Sequence, residues 1–232
     1  MEKRIVILIP AHNEGNRIEA VLDVVCSYPR EVEIIVIDGG SKDDTKEKAS
    51  KYPVEVISYK ENRGKGAALQ AGIDHAVQAD YWLFIDADLV NLQHNHLDQL
   101  LQPMMDDPET GMTVGRLVEG GKKIVDIVQC YISITNGQRG LAGWFVSRLP
   151  DMSWSRFGVE VFMSRLSEHW DIKVETPHLH GVTHYPKEEK FGLIRGFYYR
   201  MHMYAECMHA VRVWKRYSVK EKDSSAAVIP SR

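Results

Sequence analysis

RIVILIP, residues 4–10, is an uninterrupted apolar run rich in β-branched side chains and stopped by proline, which reads as a strand buried on both faces. Working outward, Ile18, Val21, Leu22 and Val25 recur at helical spacing within residues 14–27. VEIIVID (32–38) is a second apolar strand. Ser41 and Asp43 offer N-cap oxygens for a polar helix to about Tyr52. VEVISY (54–59) predicts a third strand, Gly66–Ala79 a helix, and YWLFID (81–86) a fourth strand ending in carboxylates. Strand–helix–strand repeated over short connections implies right-handed crossovers and a mostly parallel sheet flanked by helices, an α/β fold with a Rossmann-like N-terminal half. In such sheets ligands gather at the carboxyl ends of the strands. Three of the four strands run straight into polar loops there: AHNEGN, GGSKDD and ADLVNL.

The second half is less regular. A helix is expected near 96–106, a strand near 111–118, a Gly-Gly turn at 120–121 and a mixed segment to about Val146. Residues 158–169 read as helix, 171–176 as strand, and HLHGVTHYPKEEK (178–190) as a loop. From Phe191 to Tyr217 the chain is aromatic, basic and helical in pattern, and the tail from Ser218 is polar. The expected organisation is one domain over 1–217, with a nucleotide-binding half at 1–90, an acceptor-side half at 91–190, a helical segment at 191–217, and a flexible tail at 218–232.

Composition narrows the function. The 232 residues carry 29 Lys and Arg against 32 Asp and Glu, a net charge of −3, so nucleic acid is a poor partner. No run approaches the roughly 18–20 apolar residues that cross a bilayer. The first ten residues mix charges with five apolar residues and lack a cleavage-like site, so no signal peptide is expected. Three scattered cysteines, Cys26, Cys130 and Cys207, disfavour disulfide and zinc frameworks and point to a reducing, cytoplasmic setting.

DADL (86–89) is the sharpest chemical feature. Two aspartates one residue apart at a strand end can direct oxygens at one hard divalent cation, and Mg²⁺ and Mn²⁺ favour such ligands and bridge to diphosphates.

IPAHNE (9–14), DGGSKDDT (38–45), NRGKGAAL (62–69) and DADL, in that order, resemble the motifs of family 2 glycosyltransferases of the GT-A fold. The resemblance is strong over about 4–90. It continues loosely through NGQRGL (136–141), RFGVEVFM (156–163) and the histidine segment, most like the bacterial polyprenyl-phosphate and phosphoglycerate sugar-transferase branches. It implies a metal-dependent, inverting transfer from a uridine- or guanosine-linked nucleoside-diphosphate sugar to a phosphorylated acceptor, either a polyprenyl phosphate or a small metabolite. The nucleotide would meet Pro10, Ala11, Asn13, Glu14, Asp38, Gly39, Lys65, Asp86 and Ala87. Mg²⁺ or Mn²⁺ would be held by Asp86, Asp88 and a late histidine, His184, with His180 its competitor. Asp88 is the more direct ligand and a catalytic candidate. Arg116 and Arg139, the latter also a catalytic candidate, would cradle phosphates, since the guanidinium fork suits them, with Lys187 and Lys190 adding positive potential. Glu160, and after it Asp151, would serve as general base if the acceptor is a hydroxyl; a phosphate acceptor needs none.

Typical polyprenyl-phosphate transferases follow the catalytic domain with membrane helices, and this sequence carries none. Residues 191–217 offer instead an aromatic, basic helix suited to peripheral contact at the inner face of the membrane. Packing on the sheet domain and a homodimer interface are the alternatives. A rival enzyme class, the nucleotidyltransferases, would carry a basic Gly-rich loop after the first strand, where AHNEGN stands. An inactive sugar-nucleotide-binding protein is the non-enzymatic rival, and the absence of G-x-G-x-x-G there disfavours a dehydrogenase.

Overall fold

The computed structural model describes residues 3–118, 136–184, 198, 201 and 204–214. The first strand, β1 (Ile5–Ala11), alternates its side chains between two cores. Ile5, Ile7 and Ile9 enter one and Val6 and Leu8 the other, which is why the run needs no polar face. Helices α1 (Ile18–Cys26) and α4 (His94–Asp106) cover the first core; α3 (Lys65–His75) and α6 (Val159–His169) cover the second.

β1 lies between β2 (Glu33–Asp38) and β4 (Tyr81–Phe84), parallel to both, and β3 (Glu55–Ser58) extends the sheet beyond β2. On the far side β8 (Arg139–Ala142) runs antiparallel to β4 and to β6 (Thr110–Val114). β9 (Lys173–Glu175) closes that edge, giving the order β3-β2-β1-β4-β8-β6-β9. This is the expected mostly parallel α/β sheet, with one reversed strand inserted between β4 and β6.

Several local expectations change. Helix α2 (Thr45–Ala49) is shorter than its pattern suggested. Asp43 does receive the Thr45 N–H at 3.1 Å, but Ser41 Oγ turns away from that helix and accepts the Asn13 N–H at 2.8 Å. The expected strand at 111–118 divides at Gly115 into β6 and β7 (Arg116–Val118). The segment at 178–184, expected to be a loop, forms two strands. β10 (His178–His180) pairs in parallel with β7, and β11 (Thr183–His184) pairs antiparallel with β5 (Leu89–Val90), directly after the DAD triplet. A short helix α5 (Gly143–Val146) and a 3-10 turn (Ser153–Gly158) lead into α6. The Gly-Gly turn at 120–121, Lys187, Lys190 and the tail lie outside the described residues.

Residues 204–214 form a helix seated on the turn before α6. Glu206 accepts from Arg156 Nε at 2.6 Å and from the Phe157 N–H at 3.2 Å, while Ala210 packs over Gly158. Trp214 meets the edges of Phe162 and His169.

Candidate active site

The loops after β1, β2 and β4 meet at one sheet edge because parallel strands deliver their carboxyl ends to the same side. The first two are laced together. Asn13 Oδ1 accepts the Lys42 N–H at 2.8 Å, Thr45 Oγ1 the Glu14 N–H at 2.9 Å, and Asp43 Oδ2 the Gly15 N–H at 3.0 Å. Asp38, buried at the end of β2, accepts from the Ser41 N–H at 3.1 Å and from Ser58 Oγ at 2.9 Å. A carboxylate closing this strand thus has a structural task in ordering the loop. Gly39 donates its N–H to Ala11 O at 2.8 Å, which keeps the backbones of the two loops in contact.

Lys65 opens α3 after Gly64, whose φ of +89° falls in the left-handed region that favours glycine. A cation here opposes the helix dipole. The reason for its placement lies across the site. The Lys65 ammonium is bonded to Asp86 Oδ1 and stands 2.6 Å from Glu160 Oε1, at the first turn of α6. Burial alone would lower its pKa, but the two carboxylates outweigh that penalty and hold it above the usual lysine value. Gln138 Nε2 donates to the other oxygen of Asp86 at 2.9 Å. Gly137 packs so closely on Asp86 and Lys65 that a Cβ would collide with both. Gln138 Oε1 is buried without a protein partner among the described residues.

Asp88 and His184 form the second half of the site, with Oδ1 and Nδ1 3.6 Å apart. One ligand atom from each of Asp86, Asp88 and His184 lies within 4.8 Å of the others. Neighbouring donors around an octahedral Mg²⁺ stand about 3 Å apart, so modest side-chain movement would close the set, and two carboxylates with an imidazole suit Mg²⁺ or Mn²⁺. His184 rather than His180 joins the aspartates. The His180 carbonyl instead accepts from His96 Nε2 at 3.1 Å, and His96 Nδ1 accepts the Gln93 N–H at 3.0 Å, so the buried imidazole is held neutral with its proton on Nε2. Burial lowers the His96 pKa in keeping with that.

Other expected site residues fall differently. Arg139 is completely buried, donating to Asn136 O at 2.9 Å and Ser164 Oγ at 3.0 Å. Burial pushes its pKa down to about 10, opposed by Glu160 and Asp86. It therefore braces the interior of the site and does not reach an acceptor in the manner its arginine chemistry suggested. Asp151, the second candidate base, caps its own turn through the Ser153 N–H and hydroxyl, each at 2.9 Å. Arg116 stands in β7 opposite His178 of β10, partly exposed. Gln138, Gly137 and His96 were not singled out by sequence. NGQRG drew attention only for its arginine, and nothing in a lone glutamine marks it as an aspartate's partner.

Residues 6–153 match the family model described as glycosyl transferase family 2. A human dolichyl-phosphate beta-glucosyltransferase is 34% identical over 102 residues, covering 37% of this chain and 31% of that protein. A dolichol-phosphate mannosyltransferase of Pyrococcus furiosus is 30% identical over 128 residues, covering 51% of this chain and 35% of the relative. The chain thus matches about a third of the length of these relatives. Among solved structures, glucosyl-3-phosphoglycerate synthase from Mycobacterium tuberculosis, in complex with Mn²⁺, UDP and glucosyl-3-phosphoglycerate, superposes with a TM-score of 0.73. Its sequence identity is 21%, over 91% of this chain and 80% of that one.

Proposed function

The chain belongs to glycosyl transferase family 2, matched over residues 6–153, and on that premise we propose that it is an inverting, metal-dependent glycosyltransferase. Its donor is a uridine- or guanosine-linked nucleoside-diphosphate sugar and its acceptor carries a phosphate. The observation that carries the reading is the convergence of Asp86, Asp88 and His184 at the carboxyl edge of the sheet.

In this proposal Pro10, Ala11, Asn13, Glu14, Asp38 and Gly39 form the wall against the base and ribose. Their loops are tied together before any ligand arrives, so little ordering is left for binding. Lys65, Asp86 and Ala87 lie toward the ribose and phosphates. A divalent cation on Asp86, Asp88 and His184 would neutralise charge on the departing nucleoside diphosphate. The acceptor oxygen attacks the anomeric carbon on the face opposite the diphosphate; that carbon–oxygen bond forms as the bond to the leaving phosphate breaks.

The same geometry supports a phosphorylated acceptor. Glu160 is buried and its carboxylate is occupied by Lys65 at 2.6 Å, so it does not face an open acceptor space. A phosphate oxygen that itself attacks, as on a polyprenyl phosphate, is already anionic and needs no base, whereas a hydroxyl of a phosphorylated metabolite would need one. Arg116, half-buried in the β7–β10 pair, with Lys187 beyond the described residues, is the proposed contact for that phosphate. The relatives' printed names, which speak of dolichyl phosphate and phosphoglycerate, support this class of acceptor.

The test is a thermal-shift panel of sugar nucleotides with and without Mn²⁺, followed by turnover with a polyprenyl phosphate and a phosphoglycerate as acceptors. Manganese-dependent stabilisation by a UDP- or GDP-sugar, with release of the nucleoside diphosphate on acceptor addition, is expected. Binding without turnover on either acceptor would identify an inactive sugar-nucleotide-binding protein instead.

A further inference from the structure

His184 reaches the two aspartates from a strand too short to hold itself. β11 pairs with β5 through Thr183↔Val90 and His184↔Leu89 alone, and a ladder of that length is marginal in isolation. The turn that delivers it, residues 180–182, is held by three hydrogen bonds. His96 Nε2 donates to the His180 carbonyl at 3.1 Å, the Gly181 N–H to the Val118 carbonyl at 2.8 Å, and Asn91 Nδ2 to the Gly181 carbonyl at 3.3 Å. Leu179 and Val182, on either side of the turn, are fully buried and fix its depth.

Two of the three donors are side chains, and each is oriented by its own surroundings. His96, 2% exposed, lies in the first turn of α4 and forms a capping box with Gln93. Its Nδ1 accepts the Gln93 N–H at 3.0 Å, which leaves Nε2 as the donor. Asn91 follows β5 at φ +59°, a left-handed conformation that asparagine tolerates. Gly181 stands at φ +77° with open space where a Cβ would be, so its backbone and not lack of room calls for glycine. The Asn91 amide thus ties the turn after β5 to the turn before β11. Asp88 lies three residues before Asn91 and His184 three residues after Gly181, and the two side chains end 3.6 Å apart.

We propose that His96 and Asn91 are positioning residues for His184: they hold the 180–182 turn so that the imidazole stays beside Asp88 and within reach of a cation on Asp86. The inference rests on the reading of Asp86, Asp88 and His184 as the metal site. It adds that the third ligand is placed by two side chains that are not themselves ligands.

The experiment is Mn²⁺ titration of the full chain by electron paramagnetic resonance, with nitrogen modulation of the bound ion's spin echo reporting a coordinated imidazole. The parent should show that modulation. His184→Ala should lose it and bind more weakly, which defines the signature of the two carboxylates alone. His96→Leu removes the donor to His180 and should weaken Mn²⁺ binding about tenfold, as loss of a group behind a metal ligand commonly does, with reduced modulation. His96→Gln keeps an N–H for the His180 carbonyl but loses the acceptor for the Gln93 N–H. It should unfold at a lower midpoint yet retain Mn²⁺ affinity within about twofold, a split that a purely structural role would not produce. Asn91→Gly accepts the same φ, loses only the amide, and should weaken Mn²⁺ binding about threefold. Being exposed, this second variant carries the test if His96→Leu does not fold.

Parental affinity with parental nitrogen modulation in both His96→Leu and Asn91→Gly would overturn the proposal. So would an affinity loss in His96→Gln equal to that in His96→Leu, which would make the histidine a stabilising residue only. A parent that binds no Mn²⁺, or binds it without nitrogen modulation, would instead remove the metal-site reading on which the proposal stands.

Discussion

The Lys65 ammonium stands 2.6 Å from Glu160 Oε1, joining the first residue of α3 to the first turn of α6 across 95 positions of sequence. With Asp86 on its other side, the lysine holds a buried and a half-buried carboxylate close together. Its task in the free protein is therefore structural, and the nucleotide contact proposed for it would be added to that task.

Replacing that lysine exposes the dependence. Lys65→Ala leaves Asp86 and Glu160 with the Arg139 guanidinium as their remaining nearby cation and should cost about 3 kcal/mol in stability near pH 7. Urea denaturation of the variant beside the parent would measure that deficit. A deficit under about 0.5 kcal/mol would show that the ion pair contributes little.

Asp88 is tested differently, because it is partly exposed and its Oδ1 lies 3.6 Å from His184 Nδ1. Asp88→Asn should unfold within about 0.5 kcal/mol of the parent, as surface substitutions usually do. Mn²⁺ binding, followed by electron paramagnetic resonance, should be lost, and metal-dependent sugar transfer with it. Retained Mn²⁺ affinity would remove Asp88 from the metal assignment.

Gln138 holds the oxygen of Asp86 that Lys65 does not. Groups that orient a metal-binding carboxylate typically affect affinity by one to two orders of magnitude. Gln138→Leu should therefore weaken Mn²⁺ binding about tenfold, and Gln138→Glu should not restore the parent behaviour, since it sets a second carboxylate against Asp86 without a donated N–H. Isothermal titration in Mn²⁺ would separate these outcomes.

His96 predicts a pH dependence of stability. Its pKa is lowered by burial from an ordinary value of 6.5, so the unfolded chain takes up a proton first as the solution is acidified. Its contribution is thus complete above about pH 6.5 and declines below it. A protonated Nδ1 would also face the Gln93 N–H donor to donor. His96→Gln should lower stability near pH 7.5 and flatten the slope between pH 6.5 and 5, read from denaturation midpoints; an unchanged slope would assign the acid sensitivity elsewhere.

The parallel half of the sheet was legible because its strands are buried on both faces, a condition that forces continuous apolar runs such as RIVILIP and VEIIVID. The reversed strand was not. RGLA is short, half of it glycine and alanine, and it carries no alternation to mark it. β10 and β11 escaped for a related reason, since HLH and TH are too brief for a periodic signal, and their histidines suggested ligands before backbone pairing. At the site, motif order located Asp86, Asp88, Lys65 and the two loops. What sequence could not supply was pairing at a distance: Lys65 with Glu160, Gln138 with Asp86, His96 with the His180 carbonyl. The burial of Arg139 was hidden likewise, because an arginine beside glycines looks the same on a surface as in an interior.

The reversed direction of β8 has a consequence for how the rim is assembled. An antiparallel strand begins where its neighbours finish, so the residues leading into β8 arrive at the rim that the DAD triplet occupies. Gln138 accordingly lands beside Asp86 by strand direction and register alone. The pairing of β8 with β4 therefore carries an aspartate's partner to the rim without a dedicated loop.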